Sequence, residues 1–283
     1  MVKHQPIGIF DSGVGGLTVY RALHKQLPRE RFVYLGDTAR VPYGTKSLAT
    51  VERYAIENAQ FLAARDIKLL VVACNTASAL ALAKIRAQIG VETIGVIAPG
   101  AGKAVALTKN KENPRIGVIA TEATVQSRAY SEAIKRANAN AEIFEAACPL
   151  FVPLAEEGWT DEPETVSIAG KYLQKIVRQK VDALVLGCTH YPILRGVIQT
   201  TIGKRVILID SGEACAEAVE KLLNEKNLAN DKPPQRVSKR RLCDDLDHFY
   251  VTDAAERFAR VAERFLGAKP AKLEAVEVSA LKC

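Results

Sequence analysis

Cys74 and Cys188 carry the strongest chemical signal in this chain. Cys74 stands in Ala73-Cys74-Asn75-Thr76-Ala77-Ser78 and Cys188 in Gly187-Cys188-Thr189-His190-Tyr191-Pro192, each directly after an apolar run. An ordinary thiol has a pKa of about 8.5 and is only slightly ionised at neutral pH, so a reactive one needs help from its neighbours. A helix N-terminus or an imidazolium favours the thiolate, and His190 lies two residues after Cys188. The acid in Asp11-Ser12-Gly13-Val14-Gly15-Gly16 is a candidate to accept or relay a proton. Two bases opposed across one carbon suit the removal of a proton from one face and its return to the other, which is racemisation or epimerisation.

The other four cysteines, Cys148, Cys215, Cys243 and Cys283, read as small buried hydrophobes. No C-x-x-C pair or zinc-type spacing occurs, so no metal site is expected. Six cysteines in 283 residues are too few for a disulfide scaffold. No secretory leader and no long apolar span is visible, so a cytoplasmic location without membrane contact is expected.

The elements that must position these residues form a repeating pattern. Short, continuous apolar runs occur at Pro6–Phe10, Phe32–Leu35, Ile67–Ala73, Thr93–Ile97, Arg115–Ala120, Ala141–Glu145, Val181–Gly187, Arg205–Asp210 and His248–Thr252. Buried parallel strands look like this. Amphipathic helical segments lie between them, with Leu48, Val51, Ala55, Ala59 and Leu62 on one face, and Val166, Ile168 or Ala169, Leu173 and Ile176 on another. The class is α/β, with mostly parallel sheets flanked by helices.

An internal echo divides the chain. Ile67–Ser78 resembles Val181–Pro192, and Ile7–Asp11 resembles Ile116–Thr121, at near-equal separations. Two pseudo-symmetric halves are expected, 1–97 plus 209–283 and 98–208, with the site in the cleft between them. The segment after Gly212 is expected to add a helix, a loop and one more strand. Asn230–Arg241 reads as a solvated loop with five basic residues, and the net charge of +7 gives no firm sign of nucleic acid.

Ligands of parallel sheets bind outside the carboxyl ends of the strands. The residues that follow the strands are Asp11–Gly16, then Asp37 and Val41–Gly44, Cys74–Thr76, Thr121–Thr124 and Cys188–His190. The glycine-rich stretch matches neither the dinucleotide nor the P-loop pattern, and a plain tight turn explains it equally well. Asn75-Thr76 and Thr189 read as helix N-caps, a role compatible with contact to a carboxylate.

The ordered set GIFDSGVGGLTV, PYG, ACNTAS, ATxxT and GCTHYP resembles the glutamate racemase family of the cofactor-independent aspartate/glutamate racemases. The resemblance runs from Ile7 to about Gly212 and resumes over His248–Gly267. It implies interconversion of L- and D-glutamate without pyridoxal phosphate or metal, supplying D-glutamate for peptidoglycan. It further implies Cys74 and Cys188 as the two catalytic bases, assisted by Asp11 and His190. Substrate contacts would be Asp11, Ser12, Tyr43, Gly44, Asn75, Thr76, Thr121, Thr124, Thr189 and His190. Asp37 and Glu156 would give polar support, with Glu157 as good a local match as Glu156.

Some members of the family carry an N-terminal extension and respond to a cell-wall precursor. Here the first strand starts at Pro6, and that regulation is left open. The partner is a small molecule, nucleic acid is not required, and a homodimer is left open. The competing readings are a racemase for another amino acid such as aspartate, a two-domain sensor of an anionic amino acid, and a cysteine hydrolase using Cys188 and His190.

Overall fold

The computed structural model describes residues 2–231 and 240–279. Its strands are β1 (Ile7–Asp11), β2 (Phe32–Gly36), β3 (Leu69–Val72), β4 (Thr93–Gly95), β5 (Arg115–Ala120), β6 (Glu142–Ala147), β7 (Ala183–Gly187), β8 (Ile207–Asp210), β9 (His248–Val251) and β10 (Leu273–Ala275). The apolar runs read from the sequence all overlap strands β1 to β9. One sheet has the order β10-β9-β2-β1-β3-β4 and the other β6-β5-β7-β8, and every pairing is parallel. Helices flank both sheets, as continuous apolar parallel strands require.

The two orders reveal the repeat. Without β9 and β10, each sheet has its second strand at one edge, then its first, third and fourth. Cys74 and Cys188 therefore follow topologically equivalent strands, β3 and β7.

A glycine sits under close contacts in the first strand of each sheet. A Cβ on Gly8 of β1 would come 2.6 Å from Ile67, and one on Gly117 of β5 would come 2.8 Å from Leu184 and 3.5 Å from Val181. Ile67 and Val181 are the residues that open the two echoed segments. Gly8 is closed by Ile67 itself, whereas Gly117 is closed by Leu184 and by Ile176 at 3.0 Å, with Val181 at ordinary contact distance.

Three buried apolar clusters hold the fold. One lies under helix Leu48–Ala63 and the first sheet, and another under helices Ile97–Leu107 and Ala129–Ala137 and the second sheet. The third runs continuously from β1 and helix Leu17–Gln26 through helix Ser211–Glu225 to Leu184 and Leu186 of β7. It also takes in Cys148, Cys215 and Cys243, which pack there as small hydrophobes, while Cys283 lies outside the described residues.

Several local expectations change. Leu48 and Val166 sit in the first turns of their helices and are exposed, so the buried faces begin at Val51 and at Thr165 with Ala169. The segment after Gly212 adds a second helix, Ala255–Leu266, and the edge strand β10. That helix buries Phe258, Val261, Ala262 and Phe265, a clear 3-4 spacing, whereas β10 is short and carries an acid in its middle. Residues 232–239 of the expected basic loop lie outside the described residues. Arg240, at its end, is buried and paired with Asp244 and Asp247 rather than solvated.

Gly8→Ala is expected to cost about 1–3 kcal/mol through overpacking against Ile67. Urea unfolding measures this, and trimming Ile67 to Ala in the same chain should recover part of the loss. An unchanged midpoint for Gly8→Ala contradicts the packing argument.

Candidate active site

The carboxyl ends of the two sheets share one cavity of about 240 Å³. Ser12, Tyr43, Gly44, Cys74, Asn75 and Thr76 line it from one half. Thr121, Glu156, Cys188, Thr189 and His190 line it from the other. Its volume falls below the ~300–1,000 Å³ of drug-sized pockets, so it suits a small solute. Asp11, Asp37 and Thr124 stand behind this wall.

Cys74 is itself the N-cap of helix Asn75–Leu80: its sulfur accepts the Ala77 N–H at 3.5 Å. Asn75 and Thr76 are the first helical residues rather than caps, so neither side chain is tied up in capping. The Cys74 thiol donates to Ser12 Oγ at 3.5 Å. Burial, and after it the charge of Asp11, pushes its pKa up to about 12. Thr189 is not a cap either; its carbonyl accepts the Thr18 hydroxyl at 2.8 Å and ties helix Leu17–Gln26 to the end of β7.

Cys188 has a different neighbour. Its sulfur lies 3.9 Å from His190 Nδ1, and His190 Nε2 lies 3.0 Å from Glu156 Oε1. Burial works against a charged imidazole, but hydrogen bonds and charges from Cys188 and Glu156 outweigh it and push the His190 pKa up to about 10. His190 therefore holds a proton at neutral pH. Glu156 also suffers from burial, but His190 and Arg257 bring its pKa below the usual carboxylate value. Of the two neighbouring acids, Glu156 faces His190 while Glu157 is exposed.

Asp11 is wholly buried. Its Oδ2 accepts the N–H groups of Gly13 and Gly16, both at 3.0 Å, and its Oδ1 has no hydrogen-bond partner. Burial raises its pKa, against the opposing pull of His190 and the backbone donors. The glycine-rich stretch earns its composition here through close approach. A Cβ on Gly15 would overlap the His190 ring and the Thr189 hydroxyl, and one on Gly16 would overlap Asp11.

Asp37 is saturated by its neighbours. It accepts from Arg40 Nε at 2.7 Å, Asn58 at 3.2 Å, Thr252 at 3.0 Å and the Tyr43 hydroxyl. Its effect on the cavity is to hold Tyr43. The hydroxyls of Thr76, Thr121 and Thr124 form a triangle with sides of 3.0, 3.3 and 3.0 Å, joining the halves at the cavity wall with Thr124 behind it. Gly44 packs so near Thr121 that a Cβ would come 2.8 Å from it.

Sequence reasoning missed Val152, Pro153 and Arg257 in this wall. Arg257 donates to Glu156 Oε2 at 3.2 Å and comes from helix Ala255–Leu266, the element the sequence reading did not resolve. The amphipathic repeat AERFARVAERFL was the signal that would have shown the helix.

A larger groove of about 790 Å³ lies at the amino ends of β7 and β8. Its Lys111, Lys180, Lys204 and Arg205 follow the ends of helices Ile97–Leu107, Pro163–Arg178 and Arg195–Ile202, where cations answer the helix dipoles. It contains neither cysteine nor histidine. Among the described residues, no cluster of three or more His, Cys, Asp or Glu is placed to hold a metal, and no helix is long and apolar enough to cross a membrane.

Fold and site together define a two-sheet α/β protein with one thiol from each half facing a small cavity. The Asp/Glu/hydantoin racemase family model matches residues 7–219. The glutamate racemase of Geobacter metallireducens is 50% identical over 276 residues, covering 98% of each chain. Among solved structures, glutamate racemase isoform RacE1 from Bacillus anthracis superimposes with a TM-score of 0.89 at 35% identity, covering 98% of each chain. The Francisella tularensis glutamate racemase in complex with D-glutamate gives 0.87 at 37% identity, covering 99% of this chain and 100% of that one. This chain belongs to the Asp/Glu/hydantoin racemase family.

Glu156→Gln should lower the His190 pKa, since it removes the anion that holds the imidazolium. With the pKa raised from 6.5 to about 10, the charged form persists through neutral pH and is lost as pH rises through about 10, so the substitution moves that loss to lower pH. Titration of the histidine resonances by NMR measures it, and an unmoved midpoint refutes the assigned coupling.

Proposed function

We propose that this chain interconverts L- and D-glutamate by passing the α-proton between two thiols. The observation that carries the reading is the pair Cys74 and Cys188, brought from equivalent strand ends to one small cavity. The glutamate specificity comes from the relatives. One sulfur, as thiolate, takes the α-proton and leaves an electron pair on the carbon. The other, as thiol, gives its proton to the opposite face and becomes the thiolate. The two cysteines thus end each turnover with exchanged protonation states.

Without an electron-sink cofactor, which the reading does not require, the developing charge must be met by fixed donors. Asn75 Nδ2, buried with no partner, and the hydroxyls of Ser12, Thr76, Thr121 and Thr189 supply them. His190, held by Glu156, is the acid beside Cys188, and Asp11 is the carboxylate beside Cys74. Asp37 and Thr124 act through Tyr43 and the threonine triangle.

The same proposal places the enzyme in the cytoplasm, supplying D-glutamate for peptidoglycan. It divides the chain at 97/98 and 208/209 into halves able to close over the substrate and exclude water. A homodimer is compatible with it.

Incubation with L-glutamate in D₂O is the test. Optical activity should decay as deuterium enters the α-position, while L-aspartate should be left unchanged. Cys74→Ala and Cys188→Ala should each lower turnover by at least on the order of 10²–10⁴-fold. The single Cys→Ser variants should retain exchange on one face. Full turnover in either alanine variant sinks the two-thiol mechanism. A sensor protein would show no exchange, and a hydrolase would show a covalent acyl-enzyme.

A further inference from the structure

The Asn75 side chain is an amide with two nearly isosteric orientations, and which one it adopts decides whether a donor or an acceptor faces the cavity. Its Oδ1 accepts the Tyr130 hydroxyl at 2.7 Å, while its Nδ2 is buried and has no partner. Asn75 lies in one half of the chain, in helix Asn75–Leu80. Tyr130 lies in the other, in helix Ala129–Ala137, and is 1% exposed.

The tyrosine ring is itself tightly placed. A Cβ on Gly100 would come 3.3 Å from it and one on Gly187 3.0 Å, so two glycines make the slot it fills. Burial raises the pKa of its hydroxyl well above the ordinary phenol value, so it stays a donor. A buried amide N–H without a partner is unfavourable, and that penalty is removed when an acceptor enters the cavity.

We propose that Tyr130 is a positioning residue: by bonding the Asn75 oxygen from across the cleft, it turns the Asn75 NH₂ toward the cavity to receive a substrate carboxylate. This rests on the glutamate reading above and deepens it. A carboxylate only accepts hydrogen bonds, so the opposite amide orientation would set oxygen against oxygen. Tyr130 does not line the cavity and acts only through Asn75.

The test is steady-state racemisation of both glutamate enantiomers by the full chain. Tyr130→Phe, which removes the hydroxyl and keeps the ring, should raise KM about tenfold with kcat changed by less than about threefold. In an Asn75→Ala background the same substitution should leave KM unchanged. An equal rise in KM in both backgrounds, or no rise in the otherwise unsubstituted chain, overturns the proposal.

Should Tyr130→Phe fail to fold, Asn75→Asp decides. It keeps an oxygen for Tyr130 and sets a second oxygen in the cavity, so it should bind D-glutamate more weakly than Asn75→Ala does. Binding as tight as that of Asn75→Ala, or tighter, overturns the orientation. Absence of glutamate turnover by the unsubstituted chain refutes the reaction itself. Turnover with an indifferent Tyr130→Phe refutes only the role of Tyr130.

Discussion

Cys74 and Cys188 are each 5% exposed, and because burial disfavours a thiolate, the charges beside each sulfur decide what it can do. The surroundings are unequal. Cys74 faces the buried carboxyl of Asp11 and holds its proton up to a pKa of about 12. Cys188 lies against His190, whose own pKa of about 10 keeps a positive charge next to the sulfur. A proton transfer across one carbon needs an acid and a base at the same instant. In the proposed reaction each sulfur takes both roles in turn, one beside a carboxyl and the other beside an imidazole.

The rest of the architecture serves to bring those two environments together. A repeated unit places one cysteine at the end of the third strand of each sheet, so a single fold solution is used twice. The halves then meet through contacts that are specific rather than merely apolar. Thr76 meets Thr121 and Thr124, Tyr130 meets Asn75, the Thr18 hydroxyl meets the Thr189 carbonyl, and Gly44 packs on Thr121. Buried hydroxyl and amide groups lose much if unpaired, so these contacts set the relative placement of the walls more tightly than hydrophobic burial alone would. Close approach by glycine completes it, since Gly15 leaves the His190 ring the room it occupies.

The strands, their parallel class and the repeat were legible because buried parallel strands are continuous apolar runs and because the two cysteine motifs echo each other. Most of the cavity wall was legible for a related reason: in parallel sheets it forms where strands end, so it can be read in chain order. Arg257 was not, because it reaches the cavity from a late helix that follows no strand of the repeat. The capping role of Cys74 was also hidden, since sequence preference points to Asn75 and Thr76, and only the backbone geometry shows the sulfur accepting the Ala77 N–H. Arg240 looked like part of a solvated basic loop and is instead buried on two aspartates, a pairing that charge counts along the chain do not reveal.

By itself, the sequence determined the α/β class, the twofold repeat and the two thiols with their polar neighbours, because periodicity and local motifs are properties of contiguous residues. The tertiary structure decided which acid holds His190, Glu156 rather than Glu157, and which way the Asn75 amide faces. It also decided how differently the two sulfurs are surrounded. Those outcomes depend on partners such as Tyr130 and Arg257, far away in the chain, and on how completely water is excluded. Packing alone sets both.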